Sequence, residues 1–203
     1  MSKHARSAQG RSARATVGRV RIIGGSFRRT PIAVVAAPGL RPTPDRVRET
    51  VFNWLEHLFA GLPGTRALDL FAGSGALGFE MASRGAAHVV LVDHDARTVR
   101  ALRALRERLA ATNVEVLHGN WRSVLPPMPD GSFDVIFLDP PFDSGLLPAA
   151  LAAVRRLLAP AGLIYAEAAE RLDAQELSEQ GWEVVRAGKA GGVHFHLLRS
   201  RPC

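Results

Sequence analysis

Between Arg66 and Ala168 the apolar residues change their spacing repeatedly, from short unbroken runs to helical periodicity and back. "RALDLF", "HVVLVD", "VEVLHG", "FDVIFLD" and "LIYAEA" are runs of strand length,. "AGSGALGFEMASRG", "ARTVRALRALRERLAATN" and "GLLPAALAAVRRLLAPAG" separate several of them with helical spacing,. A strand that is apolar on both sides has to be covered on both faces, and helices alternating with strands supply that cover. The expected fold is therefore α/β and Rossmann-like, with a mostly parallel sheet. "GWEVVRAGKAGGVHFHLLR" adds an antiparallel hairpin and brings the sheet to seven strands,. Self-similarity at solenoid period is absent from the sequence,.

In such a sheet, ligands gather beyond the carboxyl ends of the strands, near the point where strand order reverses. The first strand delivers Asp69 and the turn Gly73-Ser74-Gly75 there, the second Asp93, the third Asn120, and the fourth Asp139 followed by Pro140, Pro141 and Phe142. Gly73, Gly75 and Gly78 fit G-x-G-x-x-G, and Asp93 stands near the distance of a ribose-binding acid,. Asp69 just ahead of the glycines would repel a pyrophosphate but suits a cation. The remaining chain also holds no second mononucleotide-binding half. Both points favour S-adenosylmethionine, which joins an adenosine to a cationic aminoacyl arm, over a nicotinamide dinucleotide. The plain alternative is a tight strand-to-helix turn with incidental acids. Candidate cofactor residues are Asp69, Phe71, Ala72, Gly73, Ser74, Gly75, Asp93, His94, Asn120 and Trp121. Trp121 reads equally well as a stacking platform and as a packed aromatic.

"FLDPPF" ends an apolar run with a carboxylate, two prolines and a ring. Neither proline can donate to a sheet ladder, so Asp139 and Phe142 belong at a rim. Methyl transfer from a sulfonium is an in-line displacement, so the acceptor lone pair has to be held along the carbon–sulfur axis. An exocyclic base amine is a poor nucleophile because its lone pair is delocalised into the ring. The Asp139 carboxylate and the Pro140 carbonyl could accept from that amine while Phe142 stacks on the base. An ordinary aspartate, with a pKa near ~3.9, would not remove the amine proton before attack. The nucleotide has to be unstacked to reach such a pocket.

Charge is unevenly placed. The 203 residues carry a net +7, but residues 1–48 hold eleven Lys or Arg against one acid, Asp45, and the rest of the chain is slightly acidic. Such polarity is the footprint of a polyanion partner. Residues 1–16 read as a disordered basic tail, 17–40 as a β-hairpin extension broken at Gly24-Gly25, and 41–203 as the main domain,. In "PGLRPTPDRVRETVFNWLEHLF", Thr43 reads as a capping hydroxyl before Pro44 at the first helical position,. Arg41, Arg46 and Arg48 gather at that helix start, either to bind phosphate or as a polar outer face. With one cysteine, Cys203, and no apolar run long enough to span a bilayer, a cytoplasmic protein is expected,.

"DLFAGSGALGFE", "FLDPPF", "RIIGGSFRRTPI" and "PGLRPTPDRVRETVFNWL" together resemble the bacterial small-subunit ribosomal RNA guanine-N2 methyltransferases of the D type, over roughly residues 19–200. The central motifs are shared by many amino-methyltransferases, and "GLRPTPDRVRETVFNWL" narrows the choice. The resemblance implies a class I methyltransferase fold, S-adenosylmethionine as donor, and a guanine amine of 16S RNA in the small ribosomal subunit as acceptor, at a G966-type site. It assigns Asp139 to Phe142 to catalysis, Asp93 to the ribose and Asn120 to the adenine edge. Arg28, Arg29, Arg41, Thr43, Asp45, Arg46 and Arg48 fall to RNA binding. Asp93 and Asn120 stand where many methyltransferases have Glu and Asp. A monomer without metal is expected, since His194 and His196 lack a third ligand. The alternatives are methylation of adenine in DNA or of a protein glutamine through the same Asp-Pro-Pro-Phe logic, then a nicotinamide-dependent oxidoreductase.

Overall fold

In a computed structural model, which describes residues 20–34 and 43–201, the strands β1 (Val20–Arg21) and β2 (Pro31–Ile32) form a small antiparallel pair. The main sheet contains β3 (Arg66–Asp69), β4 (His88–Asp93), β5 (Val114–His118), β6 (Phe133–Leu138), β7 (Leu158–Ala168), β8 (Trp182–Ala190) and β9 (Val193–Ser200). Its order is β5-β4-β3-β6-β7-β9-β8. Neighbours from β5 to β7 are parallel, whereas β9 runs antiparallel to both β7 and β8. Strand order reverses at β3 and β6. A dinucleotide-binding sheet has six parallel strands, and the antiparallel β9 between the fifth and sixth is the departure that marks this one.

Alternation along the strands splits the core into two layers. Ala67, Val89, Leu91, Phe137 and Tyr165 face α1 (Asp45–Phe59), α2 (Ala76–Ser83) and α3 (Ala96–Arg108). Leu68, Val90, Ile136, Leu138 and Ile164 face α4 (Trp121–Val124), α5 (Leu147–Val154) and α6 (Ala174–Glu179). The odd-numbered ends of β3, β6 and β7 therefore point under α1, which decides where the site lies.

Helix α1 buries Val47, Val51, Phe52 and Leu55 at helical spacing, and Phe52 meets Phe137 with ring centres 6.0 Å apart,. Its first residue is Asp45 and its N-cap is Pro44, with no side-chain cap, so the expected Thr43 cap is corrected. Asp95 caps α3, and Asn120 and Asp173 cap α4 and α6, two short helices that the sequence pattern did not reveal,.

The part of the expected hairpin extension that is described packs into the main core through Val20, Ile22 and Ile32. The buried Glu80 carboxylate on α2 accepts from the backbone N–H groups of Ile23 and Gly24 at 2.7 and 2.8 Å. Ser83 Oγ donates to the Gly24 carbonyl and accepts from Phe27 N. Arg41, residues 1–16 and the remainder of the 17–40 extension lie outside the described residues.

Candidate active site

At the carboxyl end of β3, Asp69 is 2% exposed and its Oδ2 accepts from Gly78 N at 3.1 Å. This contact requires α2 to press against the sheet, and a Cβ on Gly78 would lie 2.0 Å from Leu91 Cδ2. Gly73 and Gly75 turn the chain between strand and helix at φ 50° and 78°, a left-handed conformation that favours glycine,. Asp93, at the end of β4, accepts from Gly73 N at 2.9 Å through Oδ2 and from Asp95 N at 2.8 Å through Oδ1. The acid at the expected ribose position thus also fixes the glycine turn. Phe71 and Ser74 are half-buried in the same loop, Ala72 is buried, and His94 is exposed beside Asp93.

Asp139 follows β6 one residue past the Leu138–Ala166 pair, which sets it beside Glu167 on β7. Thr43 Oγ1 lies between the two acids, 2.8 Å from Glu167 Oε1 and 3.4 Å from Asp139 Oδ2. The Tyr165 hydroxyl donates to the same Glu167 oxygen at 2.6 Å. Thr43, the expected cap, instead joins α1 to the ends of β6 and β7. Pro140 is buried, Pro141 is exposed, and Phe142 is 41% exposed at the head of a short turn. Among the described residues it is the large apolar side chain left open to solvent.

These acids do not behave as ordinary carboxyls. Burial, with the nearby charges of Asp93 and Glu167, pushes Asp69 up to about 7 against the pull of the Gly78 N–H. Burial and then the charges of Glu167 and Asp69 hold Asp139 well above the usual aspartate range. Glu167 is also raised by burial, although its two hydroxyl donors favour its ionised form. The ordinary aspartate pKa assumed for Asp139 from sequence is corrected accordingly. Among the described residues no Lys, Arg or His forms an ion pair with Asp69, Asp139 or Glu167. A group of acids without a cation of its own fits a ligand that brings one, as a sulfonium does.

Glu167 and Tyr165 are absent from the sequence-derived site. The rule that selected Asp69, Asp93 and Asp139 selects Glu167 when it is extended to the end of "LIYAEA",. Asn120 spends its Oδ1 on capping Arg122 N at 3.0 Å, leaving the side-chain NH2 for an adenine edge. Trp121 is 8% exposed, packs edge-on to Phe71 and lies under Arg122, so it is a core aromatic rather than an open platform.

The expected RNA residues divide. Arg28, Arg29 and Arg46 are exposed. Arg48 is fully buried, 2.7 Å from Asp45 and 3.8 Å from Glu80, and Asp45 also pairs with Arg21. Arg48, Asp45 and the buried Thr43 are therefore corrected from RNA contacts to supports of α1 and the site. Arg46 lines a groove of about 480 Å³ between α1 and the β8–β9 turn, with Thr50, Trp54, Lys189 and Phe195.

Residues 20–199 match a family described as Conserved hypothetical protein 95. The chain belongs to that family. It is 38% identical over 184 residues to the ribosomal RNA small subunit methyltransferase D of Escherichia coli K12, covering 90% of each chain. The Haemophilus influenzae protein of the same name is 35% identical over 188 residues, covering 90% of this chain and 95% of that one. Among solved structures, a putative methyltransferase of Escherichia coli superposes with a TM-score of 0.75 at 37% identity, covering 91% of this chain and 99% of that one. Both the sheet order and these relatives place the fold with the class I methyltransferases expected from sequence.

Proposed function

We propose that this chain transfers a methyl group from S-adenosylmethionine to the exocyclic N2 amine of a guanine in the 16S RNA of the small ribosomal subunit. The observation that carries the reading is the convergence of Asp69, Asp93 and Asp139 with Phe142 at the point where sheet order reverses, in a chain whose relatives are named for ribosomal RNA methylation.

When bound, the cofactor supplies an electrophilic methyl on a sulfonium. Asp93 would accept the ribose hydroxyls on the carboxylate lone pairs that Gly73 N and Asp95 N leave free, and Asp69 would face the cationic end. Phe142 stacks on the unpaired base. Asp139 and the Pro140 carbonyl accept from the amine and turn its lone pair toward the methyl. The groove of Arg46, Trp54 and Lys189 is walled by Phe195, whose strand position pairs with Glu167 of the acid cluster. Two cations and an aromatic edge suit the flanking strand of a single-stranded RNA.

The test is to incubate the protein with methyl-labelled S-adenosylmethionine and small subunits from cells lacking the corresponding enzyme, then map the labelled nucleotide. Label on a guanine amine is expected. Label confined to DNA adenine or protein glutamine would move the acceptor and keep the fold. Asp139→Ala should lower single-turnover transfer by about 10²–10⁴-fold while cofactor binding persists. Undiminished transfer by that variant would overturn the role of Asp139.

A further inference from the structure

Thr43 has one hydroxyl proton and two carboxyl neighbours, Glu167 at 2.8 Å and Asp139 at 3.4 Å. It can donate to only one of them. Glu167 Oε1 already receives the Tyr165 hydroxyl at 2.6 Å, so the donors collect on Glu167 as they would on a carboxylate,. Asp139 is left facing a hydroxyl oxygen. The contact becomes a hydrogen bond without disturbing the others when Asp139 carries a proton and donates it to Thr43 Oγ1. The arrangement that satisfies every group and keeps both short donors on one carboxylate is Asp139 to Thr43, Thr43 to Glu167, and Tyr165 to Glu167,.

The surroundings reinforce it. On the side of β3 and β4 stand Asp69 and Asp93, both acidic. From β9, Phe195 lies opposite Glu167, while His194 and His196 alternate onto the other face of the sheet. The buried cation of α1, Arg48, is taken by Asp45 and Glu80, and Arg84 by Glu80 and Glu56. Among the described residues, a proton is then the cation available to this group of acids in the free protein.

We propose that Asp139, Thr43, Glu167 and Tyr165, together with Asp69, form a proton-exchanging unit that releases a proton when a sulfonium ligand binds and recovers one from the guanine amine after transfer. This rests on the methyltransferase reading above and assigns Thr43 and Glu167 as positioning residues that act through Asp139. Entry of the sulfonium charge makes the proton on the cluster unfavourable, and its loss turns Asp139 from a donor into the acceptor that the amine needs. N2 then forms its bond to the methyl carbon while the carbon–sulfur bond breaks, with the electron pair remaining on sulfur as a neutral thioether. One N2 proton passes to Asp139, which again donates to Thr43 Oγ1 while Thr43 donates to Glu167. The cluster regains the positive charge that the cofactor lost, so the neutral thioether product no longer has an unbalanced set of acids to hold it. Over one turnover one proton leaves to solvent when the cofactor binds and one is taken from the amine, so the cluster ends in its starting state.

S-Adenosylhomocysteine lacks only the methyl group and its charge, so titration of the shared amino-acid end cancels in a comparison. Calorimetric titrations of the full chain with each ligand, in phosphate and in imidazole buffers from pH 6 to 8, count the protons released. S-Adenosylmethionine is expected to release more protons than S-adenosylhomocysteine, and its affinity to rise about tenfold from pH 6 to 8 while that of the thioether changes less than about twofold. Glu167→Gln and Thr43→Val should shrink the difference between the ligands, and Thr43→Ser should restore it. Retained S-adenosylhomocysteine binding shows that each variant is folded. Equal proton counts for the two ligands would overturn the proposal and leave the methyltransferase reading standing, and a difference untouched by Glu167→Gln would remove Glu167 from the unit. Failure of the wild-type chain to bind either ligand would overturn both readings together.

Discussion

Asp69, the acid proposed to face the cofactor's cation, is held in place at a cost to the fold. Its carboxyl is buried at 2% exposure with one N–H donor and no basic partner among the described residues, and it titrates at about 7 instead of 3.8. The folded chain therefore binds that proton more tightly than the unfolded chain. The associated stability is fully present below about pH 4 and is lost as pH rises toward 7, because over that range the unfolded chain ionises while the folded chain keeps its proton,. Asp69→Asn keeps an acceptor for Gly78 N and removes the charge. It should stabilise the free protein at pH 8 by at most about 4 kcal/mol, with little gain at pH 4, while weakening S-adenosylmethionine binding. Urea unfolding at the two pH values, with ligand titration alongside, checks both halves. A variant equally destabilised at both pH values would show that Asp69 serves packing and not charge.

The junction between α2 and the N-terminal strands is held by a buried anion, Glu80, together with the Ser83 contacts. Glu80 accepts from Ile23 N, Gly24 N and Arg84 and lies against Arg48, which is fully buried. Glu80→Ala should cost about 3–5 kcal/mol in urea unfolding, because it orphans two backbone donors and leaves a buried guanidinium short of charge. Adding Arg48→Met should recover part of that loss, since the unpaired charge is then gone. Purely additive losses would show that the two side chains do not interact. Gly78 is constrained at the other end of the same helix. The added methyl of Gly78→Ala would meet Leu91 at 2.0 Å and should destabilise by about 1–3 kcal/mol or more, with weaker cofactor binding because Asp69 is displaced,. Unchanged stability would show that α2 can move away from β4.

Across the molecule, the exposed basic groups of the groove and the buried acid cluster stand apart, and the proposed function gives them partners of opposite charge. Exposed Arg46 and Lys189 flank the groove beside the site, whereas the acids lie beneath α1. Replacing both cations by Ala should weaken binding to small-subunit RNA and lower the dependence of log affinity on log salt by about two, as for two lost phosphate contacts. S-Adenosylmethionine affinity should not change. Filter binding at several salt concentrations tests this, and an unchanged slope would place the RNA path elsewhere.

The strand and helix periods, the glycine turn, and the acids at the ends of β3, β4 and β6 were legible in the sequence, because spacing along one element determines which residues reach a strand end,. The family motif in "GLRPTPDRVRETVFNWL" was legible too, yet its residues had the wrong local roles. Thr43 looked like a cap and Arg48 like a surface cation, because a hydroxyl before Pro and an Arg in a helix's first turn normally mean that. Thr43 donates to Glu167, 124 positions away along the chain, and Arg48, beside its hydrogen bond to the nearby Asp45, lies against Glu80, 32 positions away. Local sequence determined that these side chains stand near the start of α1. Only the packing of α1 over β6, β7 and α2 decided what they touch, because a contact between distant segments exists only once the sheet order has brought them together.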